Sequence, residues 1–413
     1  MEYLWKQKPK TSQLAIDELS KAINVNPTLA NMLINRGVES FEQAKSYFRP
    51  SLVMLHDPFL MKDMSEAVER IQVAIEKEQK IMVYGDYDVD GTTAVALMYG
   101  FLKTFYPDVV FYIPDRYKEG YGISEKGVRF ASENDIKLII ALDCGIKAIE
   151  KVDLATQLGV DFIICDHHTP GDELPKAVAV LDAKRKDCNY PYKELSGAGV
   201  GFKLIQAIAT KRGIDSSQLD TYLDLVAVSI AADIVPITGE NRILAYYGLD
   251  RLNNTPRPGL KALMLSSNLE KDIGISDVVF KIGPRINASG RLEHAKASVE
   301  LLISSDLEGA MERAKVVDEV NATRRNFDEN ITKEAFEMIA SREELVEWNS
   351  TVLFKEDWHK GVIGIVASRC IEKYYRPTII LTESNGKATG SARSVVDFNI
   401  YEAIEECSDF RSD

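Results

Sequence analysis

The chain has 413 residues, of which 45% are hydrophobic and 27% are charged. This length predicts two or three domains, because a single core rarely grows beyond ~250–300 residues. Lys and Arg number 50 against 63 Asp and Glu, and the net charge of −13 excludes a protein that binds polyanions through its overall charge. No apolar run is long enough to span a membrane, and the N-terminal residues do not resemble a secretion signal. The five cysteines form no CxxC pair, which is typical of reduced thiols in a cytoplasmic protein.

Residues 1–75 are predicted to be helical, because apolar residues such as Leu29, Met32 and Leu33 recur at intervals of one helical turn. From residue 76 to residue 300, short β-branched runs alternate with helical stretches. The predicted strands are Ile81–Tyr84, Val109–Ile113, Leu138–Leu142, Phe162–Cys165 and Val178–Leu181. This alternation predicts an α/β domain with a doubly wound, mainly parallel sheet. In such sheets the functional site lies at the carboxyl ends of the strands.

Residues 301–345 are predicted to form a long connecting helix. Asp306 to Arg342 contains no proline, and its apolar residues keep a helical spacing. Such a helix would be about 50 Å long and would suit a strut between two domains. The remaining residues, 346–413, predict a smaller α/β domain. Its predicted elements are the strands Thr351–Phe354, Thr378–Thr382 and Ala388–Ser391 and a helix over Gly361–Tyr374.

Three carboxylates follow the first predicted strand in close succession, at Asp86, Asp88 and Asp90. Carboxylates at this spacing repel one another unless cations lie between them, and a solvated acidic turn is the alternative. An EF-hand begins with the same pattern, but it is excluded because Leu97 stands where that loop needs a bidentate Glu. The segment therefore predicts either a divalent-cation site or an acidic turn.

Two further acidic residues, Asp143 and Asp233, end apolar runs. Taken singly, each is more typical of a helix cap or a turn than of a metal ligand. The sequence Asp166-His167-His168, directly after a predicted strand, is a rarer pattern. Carboxylate and imidazole donors without a thiolate suit Mn²⁺ or Mg²⁺ better than structural zinc. Several Asp around one His can hold two cations, which is an arrangement used for phosphoryl displacement.

Two basic segments contrast with the acidic background. Residues 281–296 contain four Lys or Arg against one Glu, and residues 351–396 contain seven against four acidic residues. The segment Gly390–Ser394 could present hydroxyl and guanidinium groups to a phosphate, although a solvated face is an equally good interpretation. No P-loop motif is present, and Gly197–Gly201 lacks the third glycine of a dinucleotide fingerprint, so it predicts a helix start.

Taken together, these segments resemble the DHH phosphoesterase superfamily, and within it the RecJ family of single-stranded-DNA exonucleases most closely. The likeness extends from about residue 50 to the C-terminus and rests on eight blocks in a fixed order. The blocks are VYGDYDVDG (83–91), PDRYKEGYGIS (114–124), ALDCG (141–145), DHH (166–168), AADIVP (231–236), GPRINASGRL (283–292), WHKGVIGIVASR (358–369) and GSARS (390–394). The set is far more specific than the three-residue DHH motif alone.

The resemblance implies a DHH catalytic domain and a DHHA1 substrate-binding domain, with site residues where the motifs match. The implied metal ligands are Asp86, Asp88, Asp90, Asp143, His167 and Asp233, of which Asp86 is an accessory carboxylate. The implied catalytic residues are Asp143, His167 and His168, with His168 close to the scissile phosphate. The implied substrate-binding residues are Arg116, Arg285, Asn287, Arg291, Ser391 and Arg393. Tyr84 stands where other superfamily members carry a histidine ligand.

The function implied by the resemblance is a 5′→3′ exonuclease on single-stranded DNA that uses two Mn²⁺ or Mg²⁺ ions and releases 5′-mononucleotides in recombination and repair. A monomer that works with a helicase and a single-strand-binding protein is expected. The sequence ends before the glycine-rich GGH segment and the OB-fold that the family usually carries, so the second domain is expected to be truncated. The alternatives are a phosphodiesterase acting on short oligonucleotides and a non-catalytic scaffold that binds single strands.

Overall fold

The computed structural model describes residue 8 and residues 11–270, 272–292, 295–341, 348–384 and 386–407. Contacts divide the chain into two compact units, one within residues 7–317 and the other from residue 318 onward. The two units are treated separately below. No helix among the described residues is long and apolar enough to cross a membrane.

The first unit contains five strands and most of the helices. The strands are β1 (Lys80–Gly85), β2 (Val109–Tyr112), β3 (Ile136–Leu142), β4 (Asp161–Cys165) and β5 (Ala179–Leu181). The helices are α1 (Gln13–Ile23), α2 (Pro27–Ile34), α3 (Phe41–Phe48), α4 (Met64–Glu76), α5 (Val89–Lys103), α6 (Glu125–Glu133), α7 (Ile149–Gln157), α8 (Gly197–Arg212), α9 (Leu223–Ala232), α10 (Gly239–Asn254), α11 (Pro258–Ser266), α12 (Ile275–Asp277), α13 (Gly283–Leu292) and α14 (Lys296–Leu302). Short 3₁₀ helices lie at Leu52–Met54, Pro58–Leu60 and Ser216–Tyr222, and a π-helix covers Val278–Ile282.

The five strands form a fully parallel sheet in the order β2-β1-β3-β4-β5. Neighbouring residues of β1 point to opposite faces, so Ile81 and Val83 belong to a different core cluster from Met82 and Tyr84. The first cluster includes residues of α4, α5 and α8, and the second includes residues of α6 and α7. Both faces are therefore buried, which explains why the strands are continuous apolar runs. The prediction of a doubly wound parallel sheet is confirmed.

The strand order fixes where a site can form. Strand β2 lies on one side of β1, and the chain then crosses to the other side of β1 to form β3. The strand order therefore reverses direction between β1 and β3, which is the topological switch point of the sheet. The carboxyl ends of these two strands and of β4 lead directly into Asp86, Asp143 and Asp166. A crevice at this edge is the position where ligands bind in open α/β sheets.

The N-terminal helices α1, α2 and α3 enclose a small apolar core of their own. Asn26 accepts a hydrogen bond from the Thr28 amide at the start of α2, where Pro27 occupies the first helical turn. Ser40 and Gln43 form a reciprocal capping box at the start of α3. The described part of the predicted helical N-terminal region is thus helical in the structure.

Helix α15 (Leu307–Ala340) has 34 residues, which corresponds to about 50 Å. The helix predicted over residues 301–345 begins later than predicted, at Leu307, because residues 301 and 302 belong to α14 and residues 303–306 separate the two helices. The long helix is present as far as Ala340, whereas residues 342–347 lie outside the described residues. The division between the two compact units falls within this helix, between Val317 and Asp318. The domain boundaries predicted at residues 75, 300 and 345 stay predictions.

The second unit contains a three-stranded sheet. Its elements after α15 are β6 (Thr351–Phe354), α16 (Ile363–Tyr374), β7 (Thr378–Ser384), β8 (Lys387–Arg393) and α17 (Ile400–Glu406). Strand β7 pairs in parallel with β6 and antiparallel with β8. Val366 and Cys370 of α16 are fully buried, as is Ile380 of β7. The prediction of a smaller α/β unit after the long helix is confirmed.

Helices α9 and α10 pack so closely that a Cβ atom on Gly248 would lie 2.5 Å from Ala227 Cβ and collide with the Leu223 carbonyl oxygen. We expect Gly248→Ala to lower the free energy of unfolding by about 1–3 kcal/mol, because the helices must separate. Gly100→Ala in α5 is the matched control, since the nearest atom to its new Cβ would be 3.5 Å away, in Tyr222. Alanine at this helical position should raise the free energy of unfolding by up to about 1 kcal/mol. Urea unfolding of both variants checks this, and equal stabilities would contradict it.

Candidate metal centre

The loop between β1 and α5 carries the first three carboxylates. Asp86 is completely buried directly after β1. Asp88 caps α5, and its Oδ1 accepts a hydrogen bond of 3.0 Å from the Gly91 amide. A Cβ on Gly91 would lie 2.5 Å from the Asp86 carbonyl oxygen, so the turn can close only around a glycine. The tight turn holds Asp86, Asp88 and Asp90 at the carboxyl edge of the sheet.

Asp143 follows β3 in the left-handed backbone region, with φ at 60°. Its amide donates to the Cys165 carbonyl oxygen at 2.9 Å, which extends the pairing of β3 and β4 by one residue. Gly197, the first residue of α8, packs against it: a Cβ there would lie 2.6 Å from Asp143 Cβ. The left-handed conformation, which aspartate tolerates, is thus enclosed by its neighbours.

The first turn of α8 holds Asp90. The Gly197 amide donates to Asp90 Oδ2 at 2.6 Å, and the Ala198 amide donates to Asp90 Oδ1 at 2.8 Å. The Ser229 hydroxyl of α9 donates to the same Oδ1 at 2.7 Å. A helix N-terminus stabilises a carboxylate through such amides. The sequence predicted that a helix starts at Gly197, but it did not indicate that this start positions Asp90.

Asp166, the first residue of the DHH motif, was not predicted as a site residue. Its Oδ1 accepts hydrogen bonds from the amides of His167 and His168, at 2.7 and 3.1 Å, and its Oδ2 accepts one from the Ile146 amide. The same Oδ1 lies 2.7 Å from His168 Nδ1. Asp166 therefore fixes the turn that presents both histidines, and its place at the head of the motif was the available signal.

His167 stands at the centre of the carboxylates. Its Nε2 lies 3.1 Å from Asp143 Oδ1, 3.5 Å from Asp233 Oδ2 and 3.7 Å from Asp90 Oδ2. Asp233 reaches this position from the end of helix α9, not from a strand. His168 Nδ1 is 4.0 Å from Asp143 Oδ1, and its side chain is 42% exposed. Two groups of ligand atoms within metal-binding reach result, Asp143 with His167 and His168, and Asp90 with His167 and Asp233.

Burial and mutual repulsion shift the proton affinities of this cluster. Burial, followed by the charge of Asp88, raises the pKa of Asp86 to about 7. Burial, followed by the charge of Asp90, raises the pKa of Asp233 to about 7 and raises the pKa of Asp88 and of Asp143. Burial also lowers the pKa of the His167 ring. Each shift shows that added negative or positive charge is costly here without a compensating partner.

The pKa of the His168 ring shifts in the opposite direction to that of His167. Its hydrogen bond with Asp166 raises the pKa of His168. Burial acts to raise the pKa of Asp166, but the hydrogen bonds from His168 and the Ile146 amide lower it overall. The pair therefore favours an ionised carboxylate beside a protonated imidazole.

Several buried polar atoms of the cluster lack an aligned hydrogen bond among the described residues. They are both carboxylate oxygens of Asp86, Oδ1 of Asp143, and Nδ1 and Nε2 of His167. Buried polar atoms are almost always paired, so such a concentration calls for a partner. Carboxylate oxygens and an imidazole nitrogen are the donor set that Mn²⁺ and Mg²⁺ accept. The residues present fit divalent cations.

Tyr84, near the end of β1, lies close to the metal centre, and the family resemblance implies a histidine ligand at its position in other superfamily members. Its hydroxyl donates to the Gly122 carbonyl oxygen at 2.9 Å and accepts from the Ser124 amide at 3.1 Å. Tyr84 thus anchors the segment that carries Tyr121, whose hydroxyl lies 3.2 Å from His168 Nε2. Neither contact was predicted from the sequence.

Four predicted substrate-binding residues also lie in the first unit. The Arg116 guanidinium lies over the Tyr87 ring, 5.0 Å from its centroid. Asn287 Oδ1 accepts a hydrogen bond from the Val89 amide, so it caps α5 beside the carboxylate loop. Arg285 donates to the Lys281 carbonyl oxygen, and the Arg291 carbonyl oxygen accepts from the Tyr117 hydroxyl. The role of Asn287 as a cap was not predicted.

Ser391 and Arg393 belong to the second unit, on β8. Arg393 Nη1 donates to Ser391 Oγ at 3.1 Å. A Cβ on Gly364, in the first turn of α16, would lie 2.9 Å from Ser391 Oγ, so the two predicted residues lie beside the start of that helix. The structure brings Ser391 and Arg393 together, while the other predicted site residues lie in the first unit.

The fold and this site define an α/β protein with a carboxylate–imidazole centre at the switch point of a parallel sheet. Two family descriptions match the chain: the DHH family, N-terminal domain, over residues 80–230, and the DHHA1 domain over residues 348–411. Single-stranded-DNA-specific exonuclease RecJ of Salmonella typhimurium is 33% identical over 97% of this chain and 71% of its own length. The chain belongs to the RecJ family.

Other relatives agree with this assignment. RecJ of Bacillus subtilis is 41% identical over 97% of the chain, which spans about half (50%) of that relative's length. The crystal structure of RecJ from Thermus thermophilus in complex with Mn²⁺ superposes with a TM-score of 0.83 at 30% identity, over 97% of this chain and 56% of that one. A crystal structure of exonuclease RecJ bound to manganese gives 0.75 at 32% identity, over 86% and 87% of the two chains.

The carboxyl groups of Asp86 and Asp233 make the stability of the metal-free protein depend on pH. Their pKa in the folded state, about 7, lies above the usual value of 3.8, so ionising them destabilises the fold, and this loss is complete above about pH 7. Below pH 7, protons compete with cations for the same oxygens. We therefore expect Mn²⁺ to raise the melting temperature more at pH 8 than at pH 6. Calorimetry at both pH values tests this, and equal increases would contradict it.

The hydroxyl of Ser229 is one of the three donors that fix Asp90. We expect Ser229→Ala to weaken Mn²⁺ binding about 10–100-fold, because the carboxylate is then less well oriented. Ser217→Ala is the control, since this hydroxyl donates to Asp215 in an exposed turn. Isothermal titration with Mn²⁺ compares the variants, and wild-type affinity in Ser229→Ala would exclude the orienting role.

Proposed function

We propose that the chain is a metal-dependent 5′→3′ exonuclease that hydrolyses single-stranded DNA to 5′-mononucleotides, in DNA recombination and repair. The observation that supports this most directly is the set of unpaired buried atoms on Asp86, Asp143 and His167, gathered where the family's ligand motifs match. The relatives in the RecJ family are named single-stranded-DNA-specific exonucleases. Two Mn²⁺ or Mg²⁺ ions are the proposed cofactors.

Asp88, Asp90, Asp143, His167 and Asp233 are the proposed ligands, with Asp86 as an accessory carboxylate. When bound, divalent cations would supply the positive charge that polarises a phosphodiester and acidifies the attacking water. Asp143 is the proposed bridging carboxylate, which agrees with its 3.1 Å approach to His167 Nε2 and its complete burial. Asp86, Asp90, Asp143 and His167 are buried, and electrostatic interactions with a phosphate are stronger at a buried site.

His168 is proposed to contact the scissile phosphate. Its ring is partly exposed, and its Nδ1 lies 4.0 Å from Asp143 Oδ1 and 2.7 Å from Asp166 Oδ1. Because that hydrogen bond raises the pKa of His168, the ring can carry a proton toward the departing 3′ oxygen. Tyr121 fixes the orientation of the second ring nitrogen.

Basic and amide side chains are proposed to hold the strand. In this proposal Arg285, Asn287 and Arg291 lie along backbone phosphates, and Arg116, with Ser391 and Arg393 of the second unit, receives the 5′ end. Guanidinium groups pair well with phosphate oxygens, which supports the assignment of the arginines. The hydrogen bond between Asn287 Oδ1 and the Val89 amide leaves the carboxamide nitrogen as the group that would face a phosphate.

A helicase and a single-strand-binding protein are the proposed partners, and the protein is proposed to act as a cytoplasmic monomer. The partners rest on the family resemblance alone. The location is supported by the cysteines, since Cys144, Cys165, Cys188 and Cys370 are buried free thiols.

The activity is tested with a single strand that carries a 5′ phosphate and a 3′ label, incubated with Mn²⁺ and followed on a sequencing gel. We expect a ladder that shortens from the 5′ end, and loss of at least about 10³-fold of the rate in Asp143→Ala, because Asp143 belongs to one group of ligand atoms and lies 3.1 Å from His167, which both groups share. Asp135→Asn is the control: this carboxylate is exposed, pairs with Lys137 and has a backbone that asparagine tolerates.

Three outcomes distinguish the candidate functions. Hydrolysis of a dinucleotide but not of the longer strand would favour the phosphodiesterase acting on short oligonucleotides. Binding of the strand without hydrolysis of either substrate would favour the scaffold. Equal rates in Asp143→Ala and the wild type would refute the proposed site.

A further inference from the structure

Ile234 combines two unusual properties directly beside the metal centre. Its backbone is left-handed, with φ at 59°, and its side chain is 80% exposed. A β-branched side chain is strongly disfavoured in this backbone region, because it crowds the neighbouring carbonyl oxygen. An exposed apolar side chain also gains nothing from burial in the free protein. Neither local preference nor folding accounts for an isoleucine at this position.

The remainder of the chain shows how uncommon this choice is. Among the described residues, nine other non-glycine residues have positive φ, and seven of them are Asn or Asp, which tolerate the conformation. The nine are Asn24, Asp63, Glu78, Asp135, Asp143, Asn268, Asp272, Tyr375 and Asp397. Ile234 is the one β-branched residue of this set. Strain of this kind clusters at functional sites, where the surrounding structure enforces it.

The neighbouring residues enforce the conformation here. Helix α9 ends with the Asp233 amide donating to the Ser229 carbonyl oxygen at 3.0 Å. Val235 packs against the main core, and the Pro236 carbonyl oxygen accepts hydrogen bonds of 3.1 Å from Tyr192 and Asn241. The backbone is therefore held on both sides of Ile234, and its side chain projects into solvent.

The location of Ile234 indicates what its side chain meets. Asp233 Oδ2 lies 3.5 Å from His167 Nε2, and consecutive Cα atoms are about 3.8 Å apart, so Ile234 borders the carboxylate cluster. A phosphodiester placed at this cluster brings its flanking sugar and base to the border. In a single strand these apolar surfaces are accessible, whereas in a duplex the bases are stacked and paired.

We propose that Ile234 is a substrate-contacting residue that packs against the sugar and base of a nucleotide flanking the scissile phosphate. The contact is apolar, so it carries no base specificity and suits an enzyme that degrades strands of any sequence. This inference rests on the proposed function, because it takes the substrate to be single-stranded DNA.

The test compares Ile234→Asn and Ile234→Gly, which both accept positive φ, with Ile234→Val, which keeps an apolar β-branched side chain. We expect the Asn and Gly variants to melt no lower than the wild type and to bind Mn²⁺ equally well. Their KM for a 5′-phosphorylated strand should rise about tenfold, the effect of losing one apolar contact. Ile234→Val should retain most of the affinity, and Val53→Asn, which alters another exposed β-branched apolar residue, should behave as the wild type.

A strand with abasic positions separates contact from general damage. The wild type should bind it more weakly than the normal strand, because Ile234 has no base to contact. Ile234→Gly should bind both strands equally, because it lacks the side chain that would contact the base. Fluorescence anisotropy without divalent cations measures this binding even if the proposed hydrolysis fails. Unchanged binding of the normal strand in Ile234→Asn and Ile234→Gly would overturn the proposal. Weaker Mn²⁺ binding in both would also overturn it, because Ile234 would then be a positioning residue for Asp233.

Discussion

The repulsion among carboxylates buried at one edge of a parallel sheet is the constraint on which the first unit depends. Asp86 and Asp143 are at most 2% exposed, and burial and neighbouring charges raise the pKa of each. A protein can tolerate such a cluster only if each carboxylate is protonated, hydrogen-bonded or neutralised by a cation. Hydrogen bonds satisfy some of these carboxylates, while Asp86 and Asp143 keep oxygen atoms without one.

Asp90 and Asp166 are stabilised by the protein itself. The first turn of α8 and the Ser229 hydroxyl supply three donors to Asp90, and backbone amides with His168 supply four to Asp166. Asp86 and Asp143, in contrast, keep oxygen atoms without an aligned donor, as does the His167 ring between them. Asp90 is thus a proposed ligand that the protein itself orients, whereas the oxygen atoms of Asp86 and Asp143 without an aligned donor are left for an external partner. The orientation of Asp90 also explains why α8 must begin with glycine: the helix start has to approach Asp143 and Asp90 at once.

Tyr84 gives the end of β1 a second task, which is to support a neighbouring loop. Tyr84 is fully buried, and its hydroxyl forms hydrogen bonds with the backbone of Gly122 and Ser124. That segment carries Tyr121 to His168. Tyr84 therefore acts on the site through the loop that borders the histidines.

The sequence by itself determined the architecture and most of the candidate site. The strands are short, apolar and β-branched because both faces of the sheet are buried, and the residues that end β1, β3 and β4 meet because parallel strands bring their carboxyl ends to one edge. Each of these patterns is contained in a few consecutive residues, so the sequence is enough to detect it. Asp233 was ambiguous by itself, since it ends a helix whose position depends on packing against distant elements. Only the tertiary structure decided that the Gly197 amide, 107 positions further along the chain, holds Asp90, and that the Asn287 side chain, 198 positions further along, accepts a hydrogen bond from the Val89 amide. It also decided that Ile234 has a left-handed backbone and an exposed side chain. Such contacts arise from how helices pack once the sheet has formed, and no periodicity or spacing in the chain records them.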